Sequence, residues 1–450
     1  MTVTNEKLSY RLKRDLSRQV PVAPFVVFRL WFGLMMIFSV VRFALNGWIY
    51  QLYIQPSYFF TYYGFDWVRP LSENGMYVVF LLLGLSATGI LLGFRYRLSA
   101  VLFFISFTYV ELLDKTNYLN HYYFISLISF LMIFLPAAGD FSLDSWRKNQ
   151  KIIETPAIFL YLLRLQVGMV YFFAGIAKIN VDWLLKALPL KMWLGALVHK
   201  SFIGTLFKYK ITAYLFSWFG MLFDVSIPFL LSLKKTRWPA YCLLIVFHVV
   251  TWYLFPIGVF PWMMIGSALI LFPVSFHEKI ITVLKKWTGV IKQHSSEKVV
   301  RFSDWSVYFT ALYLLIQLFL PFRNLLYPDS LFWTEEGYRF SWRVMLMEKA
   351  GYIQYDLRDP STNRKTLISP YEYLTPQQEK MLATQPDMIL QFAHHLRDEY
   401  AIKWGQTPEV YAHSYVTLNG QLSKPFIDTT VDLAMVQRGW QHKNWVLPNE

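Results

Sequence analysis

The chain has 450 residues, of which 55% are hydrophobic and 19% aromatic, and its mean hydropathy is +0.33. A soluble domain cannot hide that much apolar surface, so the composition predicts a polytopic membrane protein. The net charge of +14 would suggest nucleic acid as the partner of a soluble protein. Much of this charge lies in short loops between apolar runs, where basic residues set membrane orientation, so we expect no nucleic-acid partner.

In chain order, about nine runs of mainly apolar residues are long enough to be membrane-spanning helices. They lie near 25–45, 76–94, 98–113, 122–138, 157–177, 212–232, 239–255, 257–274 and 305–322. Residues 1–24 are basic and too polar for a cleavable signal peptide, so we expect a cytoplasmic N-terminal segment. Basic loops follow every second span, which by the positive-inside rule also puts the N-terminus inside. The prediction is an all-α membrane bundle over 25–322.

The C-terminal part, residues 323–450, is predicted to be a small extracytoplasmic α+β domain. The charge rises there and the long apolar runs stop. Strand-like patterns cover Arg339–Met347, Tyr352–Arg358 and Val410–Leu418. A helical stretch opens at Thr375 and Pro376, with Gln378 as the partner in a capping box, and a second one covers Met388–Trp404.

Lys178 ends the fifth predicted span, in the run from Tyr171 to Trp183. A lysine at the edge of a membrane-length segment is either a snorkelling anchor or a functional amine. Burial disfavours the ammonium form, so a buried lysine at this depth would be a usable base toward a lipid-soluble acid such as a quinol. Asp182, four residues later, offers the alternative of an ion pair that would keep Lys178 charged.

The hairpin between the third and fourth spans is polar and lies on the same predicted side of the membrane as Lys178. Within it, Glu111 and Lys115 are four residues apart and can pair across one helical turn. His121 opens the fourth span among aromatic residues, where it could act as an acid, a base or a hydrogen-bond donor.

The seventh span contains His248, for which a packing role and a functional role both stay open. This histidine and His121 are far apart in the sequence, and a metal site needs ligands in close register, so we expect no metal. Cys242 is the only cysteine, which excludes an intrachain disulfide.

Four motifs occur in a fixed order along the chain. They are Leu112–His121, Tyr171–Trp183, Phe247–His248 with Leu254–Phe260, and Trp333–Trp342. Together they resemble the vitamin K-dependent γ-glutamyl carboxylase family, with its HTTM membrane domain, over roughly residues 25 to 435. The compact, cysteine-poor chain indicates a bacterial homologue in the inner membrane with a periplasmic C-terminal domain. In a eukaryote the membrane would be that of the endoplasmic reticulum and the domain would be lumenal.

The resemblance implies a reaction as well as a fold. The family's catalytic lysine matches Lys178 and deprotonates vitamin K hydroquinone, the co-substrate. The anion reacts with O₂ to give a strong base, and the vitamin leaves as its 2,3-epoxide. That base removes a γ-proton from a peptide glutamate, and the carbanion adds CO₂. The implied partners are therefore the lipid bilayer, a quinol and a glutamate-containing peptide or protein, with no metal.

The resemblance also assigns residues. His121 matches the family's active-site histidine and is the second expected catalytic residue, and the preceding Asn120 would hydrogen-bond the quinone oxygens or the developing anions. Substrate or cofactor binding is further expected of Asn117, Tyr118, His248, Trp333, Tyr338 and Trp342. Ala177 is a departure, because the animal enzymes carry two adjacent lysines and only the second is kept here. The lone Cys242 likewise excludes their disulfide to the C-terminal domain.

Two other functions fit the sequence. The first is a quinol epoxidase or oxygenase that uses the same lysine without carboxylation. The second is a non-enzymatic lipid-binding or transport membrane protein in which Lys178 is only an anchor. A transporter would favour inverted repeats and charged residues at mid-membrane, and the sequence shows neither clearly.

Overall fold

The computed structural model describes residues 11–200, 203–289, 295–362 and 364–449. Most of the membrane region is helical. Its helices are α1 (Ala23–Leu45), α2 (Trp48–Tyr53), α3 (Glu73–Leu92), α4 (Tyr96–Leu113), α5 (Asn120–Met132), α6 (Leu143–Lys148), α7 (Ala157–Ala177), α8 (Val181–Lys186), α9 (Leu190–Ala196), α10 (Lys210–Ser232), α11 (Arg237–Leu254), α12 (Phe260–Ser267), α13 (Val274–Thr288) and α14 (Asp304–Phe319). Short 3₁₀ segments cover Lys115–Asn117, Gly204–Lys208, Ala268–Leu271 and Leu320–Leu326. Of the predicted cytoplasmic segment, residues 1–10 lie outside the described ranges.

Six of the described helices are long and apolar enough to cross a membrane, or seven if one bent pair counts as a single span. That pair, Phe260–Leu271 and Val274–Thr288, is bent by 116°. Helix α5 has only 13 residues. At 1.5 Å per residue it is about 20 Å long, too short for a hydrocarbon core of about 30 Å. By length and composition, the structure therefore supports six or seven spans, against the prediction of about nine.

A three-stranded sheet joins the predicted cytoplasmic N-terminal segment to two of the predicted cytoplasmic loops. Strand β1 (Gln19–Pro21) pairs antiparallel with β2 (Gln150–Pro156), and β2 pairs in parallel with β3 (Ser296–Val299). Because their backbones share hydrogen bonds, these segments lie on one side of the bundle, as the alternation of basic loops requires. That this side faces the cytoplasm stays a prediction.

The C-terminal domain is built on a four-stranded antiparallel sheet. Its strands are β4 (Lys349–Arg358), β5 (Lys365–Ile368), β6 (Glu409–Leu418) and β7 (Lys424–Pro425), in the order β5-β4-β6-β7. Its helices are α15 (Leu331–Thr334), α16 (Pro376–Leu382) and α17 (Pro386–Trp404), with a 3₁₀ turn at Pro370–Glu372. The capping box of Thr375 and Gln378 is formed as predicted.

The prediction of a strand over Arg339–Met347 is wrong. The segment forms turns, because Phe340, Trp342 and Met345 adopt left-handed backbone conformations with φ of 60°, 58° and 52°. A strand needs negative φ throughout. The other two predicted strands lie within β4 and β6.

The C-terminal domain packs directly on the hairpin that precedes α5. Lys115 Nζ lies 2.7 Å from Asp387 Oδ2 on α17, and Arg339 Nη1 lies 2.8 Å from the same oxygen. The pair of Glu111 and Lys115 that the spacing allowed does not form, because the lysine pairs with Asp387 of the other domain. Phe60, from the loop between α2 and α3, joins the hydrophobic core of the C-terminal domain and strengthens this contact.

This ion cluster predicts an acid-sensitive stability. Burial alone would raise the pKa of Asp387, but Arg339 and Lys115 hold it well below its usual range. A carboxyl group whose pKa is lowered in the folded state stabilises the fold above its unfolded pKa of about 4, and this contribution is lost as the pH falls further. We expect the melting temperature of the wild type to fall between about pH 5 and pH 3 more steeply than that of Asp387→Asn.

Scanning fluorimetry of the purified protein would measure both melting curves. Asp398→Asn is the matched control, because Asp398 lies on the same helix but is exposed and pairs with its neighbour Arg397. Equal acid sensitivity in the wild type and in the Asp387 variant would show that the cluster contributes nothing to this effect.

Candidate active site

Lys178 is the C-cap residue of α7, and its side chain turns back into the protein instead of toward lipid headgroups. Its Nζ lies 2.8 Å from Asp224 Oδ2 on α10 and donates to the carbonyl oxygen of Ala174 at 3.1 Å. The indole ring of Trp183 lies 5.5 Å from the same nitrogen. Lys178 and Asp224 are 7% and 5% exposed. This burial does not fit a snorkelling anchor, which keeps its charge in the headgroup region.

The close contact between α7 and α10 depends on Gly175. A Cβ atom on this glycine would lie 2.6 Å from the backbone nitrogen of Val225 and 3.0 Å from the carbonyl carbon of Asp224. Any larger residue would therefore push the helices apart. The glycine in the motif Ala-Gly-Ile-Ala-Lys therefore allows Lys178 and Asp224 to come into contact.

Asp182, the partner that the sequence suggested for Lys178, points elsewhere. Its Oδ1 lies 2.9 Å from Lys186 Nζ, and its Oδ2 accepts a hydrogen bond from Asn419 of the C-terminal domain at 2.9 Å. The alternative of an ion pair between Asp182 and Lys178 is thus wrong. The lysine nevertheless has a carboxylate partner, from a helix more than forty residues further along the chain.

The pair borders an apolar cavity of about 120 Å³. Most of its wall is aliphatic or aromatic, including Trp193, Phe216 and Phe247. His248 and Tyr171 supply further polar atoms, and the Tyr171 hydroxyl lies 2.8 Å from Nε2 of His248. Both side chains are buried. An apolar cleft with a few converging polar groups is typical of a site for a small hydrophobic ligand.

A second, larger cavity of about 580 Å³ lies at the junction with the C-terminal domain. We call it the polar cavity, and its lining includes Asn117, Tyr118, Asn120, His121, Tyr338 and Arg339. Five of these six residues were expected site residues from the sequence. The structure thus brings the hairpin motif and Tyr338 of the last motif to one site.

The two cavities share a wall formed by Ile257, Phe260, Val344 and Met345. The ring of Phe260 lies 5.5 Å from that of His121 on one side and 6.2 Å from that of His248 on the other. Lys178 therefore borders the apolar cavity and His121 borders the polar cavity. The ring of Phe260 lies between His121 and His248. Met345 belongs to the segment with left-handed φ angles, and such strain often accumulates at functional sites.

Within the hairpin, several side chains are held by the C-terminal domain and the segment before it. Asn117 Oδ1 accepts from Gln377 at 2.9 Å. The Tyr118 hydroxyl donates to Asn120 Oδ1 at 3.1 Å, and Asn120 Nδ2 donates to the carbonyl oxygen of Arg343 at 2.7 Å. Asn120 is therefore partly used to position the strained segment.

Two of the expected residues do not line either cavity. Trp333 is buried in the core of the C-terminal domain, where its indole nitrogen donates to the carbonyl oxygen of Leu447 at 2.7 Å. Trp342 is also buried, and its ring centroid lies 4.9 Å from that of Tyr123. Their geometry is that of supporting residues.

In the described part of the chain, no group of three or more His, Cys, Asp or Glu side chains could hold a metal ion.

Sequence reasoning missed Asp224 and Tyr171. Asp224 did leave a signal, because it is a carboxylate within the apolar run 212–232, and an ionisable residue inside a span is a functional candidate by default. Tyr171 left no comparable signal among the many aromatic residues of this chain.

The comparisons with known protein families give two matches. The chain matches the family model of the HTTM domain over residues 17–276 and that of the vitamin K-dependent gamma-carboxylase lumenal domain over residues 302–450. The chain belongs to the vitamin K-dependent gamma-carboxylase family. No solved structure matches it. Membership of the carboxylase family indicates a multi-pass membrane protein with vitamin K hydroquinone as co-substrate and glutamate-containing proteins as substrates.

Proposed function

We propose that this chain carboxylates peptide glutamate to γ-carboxyglutamate and couples that step to the epoxidation of vitamin K hydroquinone. The observation that carries the proposal is the buried pair of Lys178 and Asp224 in the wall of an apolar cavity, next to a polar cavity that holds His121. In this proposal the apolar cavity takes the quinol and the polar cavity takes the glutamate side chain.

The side chains that line the apolar cavity suit the chemistry of a hydroquinone. Flat aromatic side chains such as Trp193 and Phe247 would pack against the ring system of the hydroquinone. Lys178 and the Tyr171–His248 pair offer polar atoms for its two hydroxyl groups. With O₂, the deprotonated hydroquinone supplies a base strong enough for the glutamate γ-carbon, which no protein side chain can deprotonate.

Asp224 makes it possible for Lys178 to act as the base. In a dry cavity two separate charges are expensive, so the proton shared across the 2.8 Å contact can reside on the carboxylate and leave a neutral amine. The amine then takes the hydroquinone proton and becomes an ammonium. The pair thereby changes from neutral to a single positive charge, which balances the negative charge left on the substrate.

The shared wall supports coupling of the two half-reactions. The strong base must reach the glutamate without meeting water, because water would quench it. Phe260 and Met345 are apolar, and they form part of the wall that the two cavities share. His121, on the glutamate side of Phe260, can donate a hydrogen bond to the charge that develops there.

The test is an assay of both products. Purified protein in lipid nanodiscs would receive vitamin K hydroquinone, O₂, labelled bicarbonate as the source of CO₂ and a glutamate-containing peptide. We expect epoxide together with label in the peptide, and no label in a peptide that carries glutamine instead. Epoxide without label would favour a quinol epoxidase that lacks carboxylation. If both products are absent, both enzymatic functions are refuted, and a lipid-binding or transport protein is left.

The wall itself can be tested by Phe260→Leu, which keeps the residue apolar but shortens it. We expect the ratio of epoxide to labelled peptide to rise, because water or the wrong proton donor gains access to the base. Phe255→Leu is the matched control, since Phe255 lines the apolar cavity but not the polar one. An unchanged ratio in the Phe260 variant would show that this ring does not separate the two half-reactions.

A further inference from the structure

The polar cavity carries an excess of positive charge. Four basic side chains line it, Arg42, Lys115, Arg339 and Arg343, together with one carboxylate, Glu335. Asp387 contacts both Lys115 and Arg339, and Glu335 is itself bound by Lys349 at 3.0 Å. Arg42 and Arg343 are therefore left without a carboxylate partner among the described residues.

These two arginines differ in how the protein uses them. Arg343 donates to the side-chain oxygen of Asn324 at 2.8 Å, so part of its guanidinium is engaged. The guanidinium of Arg42 stacks on the ring of Trp48 at 4.5 Å, but within the described residues it donates no hydrogen bond and lies near no carboxylate. Its donors are thus free, while the stacking holds the group in place.

Arg42 lies beside the shared wall. A Cβ atom added to Gly258, two residues before Phe260, would lie 3.4 Å from Arg42 Nη1. The same cavity contains His121 and Asn120. A free guanidinium is thereby placed on the glutamate side of the barrier, close to where the base would emerge.

A snorkelling anchor is the simplest alternative, because Arg42 lies in the last turn of α1. An anchor would point its guanidinium at headgroups, whereas Arg42 lines a cavity roofed by the C-terminal domain. Arg69, in the exposed loop on the same side of the bundle, lines neither cavity and offers a direct comparison.

We infer that Arg42 binds the γ-carboxylate of the peptide glutamate in the polar cavity. The inference rests on the proposed function for the identity of the substrate. A planar guanidinium can hold a carboxylate through two parallel hydrogen bonds, which fixes the γ-carbon in one orientation. It also opposes the second negative charge that forms when the γ-proton leaves, and the second carboxylate of the product.

Peptide binding tests this without turnover. A fluorescent glutamate pentapeptide would be displaced by unlabelled peptides that carry either glutamate or glutamine, on wild type, Arg42→Gln, Arg42→Lys and Arg69→Gln. We expect the wild type and the Arg69 variant to prefer glutamate. Arg42→Gln should bind the glutamate peptide roughly tenfold to a hundredfold more weakly and lose the preference. Arg42→Lys, which keeps the charge without the planar fork, should fall between them.

A glutamate preference that survives in both Arg42 variants would overturn the inference. If Arg42→Gln melts at a lower temperature than the wild type, the lysine variant carries the test, because it keeps the cation. Failure of the two ideas is distinguishable. A wild type that prefers glutamate through Arg42 but forms neither product refutes the proposed function alone, and a fully active Arg42→Gln with unchanged KM refutes only the role of Arg42.

Discussion

Replacing Lys178 by alanine should abolish epoxide formation and, with it, carboxylation of the peptide. General-base catalysis contributes roughly 10² to 10⁴-fold, and here the first proton transfer gates every later step. The buried Nζ is the amine that borders the apolar cavity in contact with Asp224. Quantification of the epoxide by chromatography and of the labelled peptide by scintillation counting would measure both losses.

Lys186→Ala is the control for this substitution. Lys186 lies eight residues later and also contacts an aspartate, Asp182, but its side chain is half exposed and lines neither cavity. It should keep wild-type activity. Small amines added to the Lys178→Ala protein should restore part of the epoxide formation, because the substitution leaves a cavity where the amine stood. A Lys178→Ala protein with full epoxide formation would remove the assigned base.

Asp224→Asn should reduce activity at neutral pH on the order of 100-fold, and the loss should shrink as the pH rises. Asparagine keeps the shape of the side chain but cannot take the proton of Lys178 across their 2.8 Å contact. The lysine is then a base only after solution removes its proton, which alkaline pH favours. In the wild type Asp224 can take this proton inside the cavity across the 2.8 Å contact, so the activity should depend less on the pH of the solution.

The pH profile separates this role from a merely structural one. If Asp224 only positions the lysine, the asparagine variant should lose activity equally at every pH. Breaking a buried ion pair costs about 3–5 kcal/mol, so the melting temperature must be followed in parallel. Asp182→Asn makes the same chemical change at the carboxylate that pairs with Lys186, and it should leave the pH profile unchanged. A wild-type profile in Asp224→Asn would exclude Asp224 from the proton transfer.

Much of the architecture could be predicted from the sequence because hydrophobicity and capping act locally. The apolar runs became helices, and Thr375 with Gln378 formed the expected cap. The lengths of the membrane-spanning helices were predicted less well than their positions. A run such as 122–138 is apolar for reasons of packing as well as membrane crossing, and α5 ends at Met132. The segment 339–347 has a strand-like composition, but contacts with the hairpin hold it in left-handed turns.

For the candidate site, too, the sequence predicted some features and the tertiary structure decided others. The ordered motifs identified Lys178 and His121 as the residues to follow, since a lysine or histidine at the edge of a span is costly unless it is used. Sequence spacing could only offer Asp182 as the partner of that lysine, because it relates residues along one helix. Asp224 comes from another helix, and its contact exists because Gly175 lets two backbones approach.

The sequence by itself determined the class of protein, the order of its two domains and which ionisable residues lie within or beside the apolar runs. Only the tertiary structure decided which charges meet. In the folded protein Lys115 pairs with Asp387 instead of Glu111, and Lys178 has a buried carboxylate partner. Arg42 lines the polar cavity and has no carboxylate partner among the described residues. The reason is physical: burial and ion pairing depend on distances in space, and the packing of distant helices sets those distances.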